Sequence, residues 1–281
     1  MELSEKQGFC YVWDQTIAKR GSNEIGSCLY DYLKTNVDGK GVREVIFFSD
    51  NCPGQNKKHF VYKMLSGSTA QMQNLDSVEL IFLEKGHTQN SNDNIHSRIE
   101  QAKKGIEIHH PHQWHTIIQM ACKSKPYTVK LMETDNFLDW NAALNEQYTQ
   151  MMKNKMHSPS RKPITIQWKA IRHVRFEKQK SNSTQIQMLY KYALYEPFRA
   201  VIIGTLPRVT RKMQVKIPQA YEGPLPISVA LKKDLMKLCK ENAISPAYHH
   251  FYKSLSTSTD DNSRQDVVDE IDPNCDLDAD E

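Results

Sequence analysis

The chain has 281 residues, of which 39% are hydrophobic and 25% charged. This composition is sufficient for a sizeable core and excludes a globally disordered protein. The six cysteines form no CxxC pair, which argues against a zinc finger or a disulfide framework and favours a reducing compartment. No apolar run approaches the roughly 20 residues that a membrane span needs, and the N-terminus lacks a signal-peptide pattern. We therefore expect a soluble intracellular protein.

The net charge of +4 conceals an asymmetry along the chain. Residues 257–281 contain ten Asp or Glu and one Arg, a charge of −9, whereas residues 1–256 contain 36 Lys or Arg and 23 Asp or Glu, a charge of +13. A basic body is compatible with a polyanionic partner such as nucleic acid, and equally with a solvated Lys-rich surface. The acidic tail has too little apolar surface to offset the entropy of ordering, so we expect it to be disordered.

The first predicted element is a short strand at residues 9–13, although five such residues can also begin a buried helix. Asp14 follows directly, where an Asp either binds a metal at the strand end or caps the next turn. Ser22 and Asn23 are suitable N-cap residues for a helix that ends near Lys34. Its apolar side chains have the spacing of a helix packed on a sheet.

Two apolar runs then predict strands. Residues 45–48 are four consecutive apolar residues. This pattern indicates a central strand buried on both faces. Asp50 follows the end of that strand. A helix is expected over residues 55–65. The second strand is expected at residues 78–83, and a helix at about residues 93–104 follows a polar loop.

The remaining chain predicts shorter elements. We expect a helix, a strand and a helix at residues 114–121, 127–131 and 139–152. After a polar segment with proline breaks, short antiparallel strands are expected at residues 164–168, 171–176, 185–194, 198–203 and 212–217. Two helices are expected at residues 228–242 and 246–255.

Carboxylates near the ends of the first two strands form the main candidate site. In open α/β sheets, ligands and metals are held at the carboxyl ends of strands, and phosphodiester cleavage needs carboxylates that converge on divalent cations. Asp50 and Asp93 are therefore candidate Mg²⁺ or Mn²⁺ ligands. Glu100 lies about 10 Å from Asp93 along the helix axis, so only one of these two can bind one ion closely. Each Asp also fits a structural role, Asp50 in a turn and Asp93 as a helix N-cap.

Several basic side chains lie near these carboxylates in sequence. His87 and His96 can ligate a metal, transfer a proton or simply hydrogen-bond loop backbone. Arg98, Lys103 and Lys104 can contact phosphates or form a solvated helix face. The run HHPH at residues 109–112 looks like a metal-binding tract, yet a proline interrupts it and no Cys or acidic ligand lies within it.

The same region carries a family resemblance. The motifs are AKRGSNEI at residues 18–25, FSDNCPGQNK at 48–57, the stretch from GHTQ at 86–89 through Asp93 and His96 to Glu100, KKDL at 232–235, Tyr248 and FY at 251–252. With these motifs the chain resembles a family of transposase-derived animal proteins that have an RNase H-like integrase domain. The resemblance spans nearly the whole chain except the tail.

The resemblance implies an α/β fold, in which an incomplete RNase H-like mixed sheet with flanking helices precedes a smaller β-rich and helical C-terminal part. The expected boundaries are 1–153 for the integrase-like core, 154–256 for the C-terminal part and 257–281 for the tail. By position, Asp50 is the second and Asp93 the third carboxylate of an Asp-Asp-Asp/Glu (DDE) set. The first strand and its carboxylate are expected upstream of residue 11, so the core is expected to be truncated and the two-metal site incomplete.

We therefore expect a transposase-derived, nucleic-acid-associated nuclear protein whose partial phosphodiester-cleavage or strand-transfer site is inactive in this chain. If active, it would be a Mg²⁺-dependent nuclease or DDE transposase without a small-molecule cofactor. Its catalytic residues would be Asp50, Asp93, Glu100, His87 and His96. The alternative is a non-catalytic nucleic-acid-binding or scaffold protein regulated by its acidic tail. DNA and RNA are both open as partners, and no membrane association is expected.

Overall fold

The computed structural model describes residues 1–49, 59–83, 91–140, 142, 166–179, 182–203 and 217–259. These residues form two compact units, each assembled from stretches that are distant in sequence. The described residues of the first unit come from 1–19, 89–137 and 221–259, and those of the second come from 20–83 and 138–220. No helix within these ranges is long and apolar enough to cross a membrane.

The regular elements are numbered in chain order. They are β1 (Phe9–Val12), α1 (Ser22–Tyr32), β2 (Glu44–Ser49), α2 (His59–Gln71), β3 (Ser77–Phe82), α3 (Ser91–Lys103), α4 (Gln113–Met120), β4 (Thr128–Leu131), β5 (His173–Gln179), β6 (Asn182–Lys191), β7 (Arg199–Ile203), β8 (Ile227–Ser228), α5 (Val229–Lys240), α6 (His249–Ser254) and β9 (Thr257–Ser258). Short π or 3-10 turns occur at Leu33–Val37, Asp38–Lys40, Thr134–Asn136, Trp168–Ala170 and Pro246–Tyr248.

The first unit is held together by a small apolar cluster. Strands β1 and β4 pair in parallel, and helices α3 and α4 pack against each other. Ile95 of α3, Ile118 of α4 and Tyr127, which precedes β4, are buried in one cluster. Strands β8 and β9 form a second parallel pair, against which α5 packs.

The second unit contains a five-stranded mixed sheet in the order β2-β3-β5-β6-β7. Only β2 and β3 are parallel, and the other three pairs are antiparallel. Helix α2 packs on one face of this sheet, and α1 packs on α2. The fully buried side chains of this core include Tyr62 and Leu65 of α2 and Phe82 and Phe176 of the sheet.

Strand alternation gives the sheet a second, more polar face, which we call the outer face. Successive side chains of a strand point to opposite faces, and β5 reads His173, Val174, Arg175, Phe176, Glu177. Val174 and Phe176 belong to the core, so the three polar residues lie on the outer face. The predicted α/β class is therefore confirmed: a mixed sheet is combined with helices.

The prediction that residues 45–48 form a central strand buried on both faces is wrong. Strand β2 is at the edge of the described sheet, and its outer-face side chains Ile46 and Phe48 are 51% and 48% exposed. A run of apolar residues indicates that a strand has few polar side chains. It does not indicate whether one or two neighbouring strands pair with that strand. The strand predicted at 164–168 is also wrong in its described part, because Ile166 is buried outside a strand and Trp168 begins a 3-10 turn.

Strands β5, β6 and β7 had been assigned from the sequence to the C-terminal part. In the structure they continue the sheet of β2 and β3. The boundary expected near residue 153, all but the last residue of the strand expected at 212–217 and nearly all of the helix expected at 139–152 lie outside the described residues. The acidic tail is outside them from residue 260 onward.

Candidate functional site

The residues of the predicted metal site are only partly described. Asp50 and His87 lie outside the described residues, and Asp93 lies in the first turn of α3 without a described side chain. His96 and Glu100 occupy exposed positions of the same helix. In the described part of the chain, no group of three or more His, Cys, Asp or Glu side chains is placed to hold a metal ion. The metal site at Asp50 and Asp93 therefore stays a prediction.

Asp14 has a structural role in the first unit. Its Oδ1 atom accepts hydrogen bonds from the backbone N–H and the hydroxyl group of Thr16, at 2.8 and 2.6 Å. These bonds stabilise the turn after β1, which is the capping alternative that the sequence left open.

Two cations of α3 that were candidates for phosphate contacts have partners within their own unit. The Nη1 atom of Arg98 lies 2.9 Å from Cys122 Sγ. The Nζ atom of Lys103 lies 5.5 Å from the ring centre of Trp114, within the range of a cation–π contact. Both residues are exposed, so these contacts lie on a solvated face of α3.

The carboxyl ends of β2 and β3 meet at one edge of the sheet. Ser49 is paired with Phe82, and the Leu83 N–H donates to the Ser49 carbonyl at 2.8 Å. The Phe82 N–H donates to the Arg172 carbonyl at 2.9 Å, so Arg172 reaches the same edge just before β5. The Arg172 Nη1 atom is buried, and no described residue accepts a hydrogen bond from it. Because a buried unpaired donor is costly, this edge favours an additional oxygen acceptor.

The outer face of the sheet carries a group of charged side chains that we call the ion-pair cluster. Its members are Glu44, Glu79, His173, Arg175 and Glu177. The two oxygens of Glu79 bind different partners, His173 Nε2 at 2.6 Å and Arg175 Nη1 at 2.6 Å. Arg175 also donates from Nε to Glu177 at 2.8 Å and approaches Glu44 at 3.5 Å. The side chains of Glu79 and His173 are only 13% and 11% exposed.

Sheet register explains how the ion-pair cluster forms. Glu79 of β3 is directly paired with Arg175 of β5, and Ile81 with His173. Glu177 lies two residues beyond Arg175 on the same face of β5. The cluster therefore depends on the non-local pairing of β3 with β5, whose partners are 94 to 96 residues apart in the chain.

In this geometry the charged side chains of the cluster neutralise one another and hold one another in position. One Glu79 oxygen contacts His173 Nε2 and the other accepts from Arg175 Nη1, so each carboxylate oxygen has a described partner. We interpret the cluster as a rigid polar network that fixes the register of β3 against β5.

Removing the central carboxylate tests this interpretation. In Glu79→Gln we expect the free energy of unfolding to fall by about 2 kcal/mol, because the partly buried Arg175 loses a charged acceptor and the contact with His173 is weakened. Glu177→Gln is the matched control, since Glu177 is more exposed and binds only Arg175 in the cluster. We expect less than about 1 kcal/mol for the control. Equal losses in urea denaturation of the two variants would contradict the central position of Glu79.

The histidine run at residues 109–112 packs against aromatic side chains of the first unit. The His110 ring lies 4.2 Å from the Phe251 ring and 5.2 Å from the Tyr248 ring, centre to centre. His110 Nδ1 accepts a hydrogen bond from the His112 backbone N–H at 3.1 Å. The Tyr252 hydroxyl donates to the His109 carbonyl at 2.7 Å. These contacts explain the histidines as packing elements.

This packing predicts a pH dependence. Burial, together with repulsion from His112, lowers the pKa of His110 below 6.5, and the nearby Asp14 only partly opposes this. The unfolded chain therefore takes up this proton at higher pH than the folded chain, so stability falls as pH drops below about 6.5. We expect His110→Phe to lose less thermal stability between about pH 7.5 and 5.5 than wild type. The exposed His250, replaced by Gln, is the control and should change as wild type does.

The sequence did not identify the ion-pair cluster or Arg172 as site residues. The alternation of polar and apolar residues from His173 to Glu177 was available as a signal for one polar sheet face. The partner Glu79 was not identifiable, because it lies inside an apolar run on a strand distant in sequence.

These features define a class: an α/β protein with a mixed sheet, helices on one face and a charged network on the other. The chain belongs to the family of the domain of unknown function DUF7869, whose model matches residues 2–187, or 186 of the 281 residues. The match ends within β6. No curated protein and no solved structure matches the chain significantly.

Proposed function

We propose that this protein binds nucleic acid, in keeping with its resemblance to transposase-derived proteins, and that it acts in the nucleus. The observation that supports the proposal most is the position of the excess positive charge. Residues 138–220 contain fifteen Lys or Arg and four Asp or Glu, a charge of +11. This is most of the +13 carried by residues 1–256. A concentrated positive charge attracts a polyanion. Counterions that leave the nucleic acid when it is bound strengthen the association further.

The charge is concentrated in one part of the second unit. Residues 138–220 supply β5, β6 and β7, the antiparallel half of the sheet. The other stretch of this unit, residues 20–88, has eight Lys or Arg and eight Asp or Glu. We therefore expect a polyanionic partner to bind on the side of β5, β6 and β7.

In the sequence, one segment before β5 and one directly after β7 hold most of the excess. Residues 153–162 and 204–216 each contain four Lys or Arg and no Asp or Glu. Both segments lie outside the described residues, so their charge alone supports the proposal. By contrast, the described cations Arg175 and Lys178 have local partners, Glu79 and the Met72 carbonyl. Burial lowers the pKa of Lys178 from its ordinary value, in keeping with the partly buried position of its side chain.

A salt titration of binding tests the proposal. We expect the full chain to bind labelled single-stranded and duplex oligonucleotides, with the logarithm of the association constant falling linearly against the logarithm of salt concentration. Four or more phosphate contacts would give a slope of about −3 or steeper. Removal of residues 257–281 would tighten binding if the acidic tail competes for the same surface. The absence of binding at low salt, or binding that is independent of salt, would contradict the proposal.

A second candidate function is metal-dependent phosphodiester cleavage. Its supporting observation is the edge where the parallel strands β2 and β3 end together, because Asp50 directly follows β2 there. The unsatisfied donor of Arg172 at the same edge suits a phosphate or carboxylate oxygen. We expect any Mg²⁺- or Mn²⁺-dependent nicking of DNA or RNA to be lost in Asp50→Asn. Equal inactivity of wild type and variant would eliminate this candidate.

A further inference from the structure

The turn between β6 and β7 exposes an unusual group of apolar side chains. A backbone hydrogen bond from Glu196 N–H to the Ala193 carbonyl, at 3.1 Å, closes the turn and places Leu194 and Tyr195 at its centre. Tyr195 is 91% exposed, Leu194 is 46% exposed, and Phe198, just before β7, is 38% exposed.

Chain reversal alone does not explain these residues. The centre of a tight turn is usually occupied by Gly, Asn, Asp, Ser or Pro, which stabilise the required backbone conformation or hydrogen-bond locally. Leu194 and Tyr195 supply neither property and leave apolar surface in water. A contiguous exposed apolar group of this kind marks an interaction site.

The first cation of the turn, Lys191, lies beside the Phe198 ring. The Lys191 Nζ atom lies 4.2 Å from the ring centre of Phe198 and 3.4 Å from the Leu194 carbonyl oxygen. The His173 ring contacts Phe198 edge to face, with 4.8 Å between ring centres. These contacts hold Phe198 in place at the end of the outer face and put a positive charge next to it.

The second cation of the turn is Arg199. Its guanidinium carbon lies 4.6 Å from the ring centre of Tyr192, and one of its nitrogens lies 3.5 Å from Glu196. The Arg199 side chain is 51% exposed, so the ion pair with Glu196 leaves much of the guanidinium group accessible. The turn therefore presents the exposed Tyr195 ring and carries one cation at each of its two ends, Lys191 and Arg199.

We infer that this turn, residues 191–199, is a base-stacking element for unpaired nucleotides. This inference rests on the proposed nucleic-acid binding and names its preferred substrate as single-stranded. A base stacks on Tyr195, while Lys191 and Arg199 contact the adjacent phosphates. The charge of +11 over residues 138–220 favours this occupant over a protein surface, because it is complementary to a polyanion.

Single strands are preferred for a geometric reason. The faces of bases in a duplex are already covered by their neighbours, whereas unpaired bases can stack on aromatic side chains. Duplex binding needs only the phosphates, so it depends on the cations and not on Tyr195.

The test compares Tyr195→Ala with Tyr195→Phe on a ten-nucleotide oligothymidylate and on a duplex with the same number of phosphates. We expect Tyr195→Ala to weaken binding to the single strand roughly 5- to 150-fold, since stacking on one aromatic residue is worth about 1–3 kcal/mol. Its salt slope and its duplex affinity should equal those of wild type. Tyr195→Phe should bind as wild type does, because the ring is retained.

Arg199→Gln separates phosphate contacts from stacking. This variant should lower the magnitude of the salt slope on single strands by about 0.7, the value for one phosphate contact. The inference is overturned if Tyr195→Ala binds single strands as tightly as wild type, or if it weakens single-strand and duplex binding equally. In the first case, salt-dependent binding by wild type would leave the proposed function intact, and the turn would be assigned to a protein partner. If wild type binds neither oligonucleotide, both proposals are overturned.

Discussion

Phe176→Ala is expected to lower the free energy of unfolding by about 3–5 kcal/mol. Phe176 lies on β5, in register between Val78 of β3 and Met188 of β6, and all three side chains are 0% exposed. Truncation to Ala removes a buried ring and leaves a cavity that the surrounding strands and α2 can only partly fill. Denaturant unfolding of the two proteins under identical conditions measures the loss.

Phe48→Ala is the matched control for this substitution. Phe48 belongs to the same sheet, but it lies on the edge strand β2 and is 48% exposed. We expect its replacement to cost less than about 1 kcal/mol. If Phe48→Ala were as destabilising as Phe176→Ala, the assignment of the core face and of the β2 edge would be wrong.

The second large effect concerns nucleic-acid affinity. Replacing four cations with Gln should weaken binding about 100- to 1,000-fold at roughly 0.1 M salt and reduce the magnitude of the salt slope by about 3. The four residues are Arg208, Arg211, Lys212 and Lys216. The reason is that each phosphate contact releases counterions, and this gain is lost with each cation. Fluorescence anisotropy over a range of salt concentrations measures both quantities.

A charge-matched variant distinguishes a local effect from a change in net charge. Four exposed lysines of the first unit, replaced by Gln, remove the same total charge. They are Lys123, Lys233, Lys237 and Lys240. We expect this variant to keep most of the wild-type affinity. Equal losses in both variants would show that binding depends on overall charge and not on residues 138–220.

Local patterns in the sequence predicted several elements well. The helix at Ser22–Tyr32 follows from its apolar spacing, and the structure adds that Glu24 accepts a hydrogen bond from the Gly21 N–H at 2.7 Å. The polar–apolar alternation from His173 to Glu177 gives strand β5. Such patterns depend on side chains a few residues apart, which is why one sequence is sufficient to detect them.

Non-local features were not predictable in the same way. The edge position of β2 depends on which strands pair, and four apolar residues from Val45 to Phe48 are compatible with an edge or a centre. The contact of Glu79 with His173 and Arg175 requires β3 and β5 to be in register. Similarly, Tyr195 is exposed because it lies in the β6–β7 turn, although tyrosine is not among the usual residues of turns.

The predicted carboxylate set illustrates a different situation. Strand β2 ends at Ser49, and α3 begins at Ser91, close to where the sequence placed those boundaries. The elements next to Asp50 and Asp93 are therefore described, whereas the geometry of the two carboxylates stays a prediction. Asp14, a candidate outside this set, has the hydrogen bonds of a turn-capping residue.

The central claim is that nucleic acid is bound by residues 138–220 of this chain. Ultraviolet crosslinking of the full-length protein to a photoreactive single-stranded oligonucleotide, followed by mass spectrometry of the attached peptides, tests it most directly. We predict that the crosslinked peptides come mainly from residues 138–220 and include the turn with Tyr195. Crosslinks that fall mainly within residues 1–137 or 221–281, or none at all, would contradict the claim.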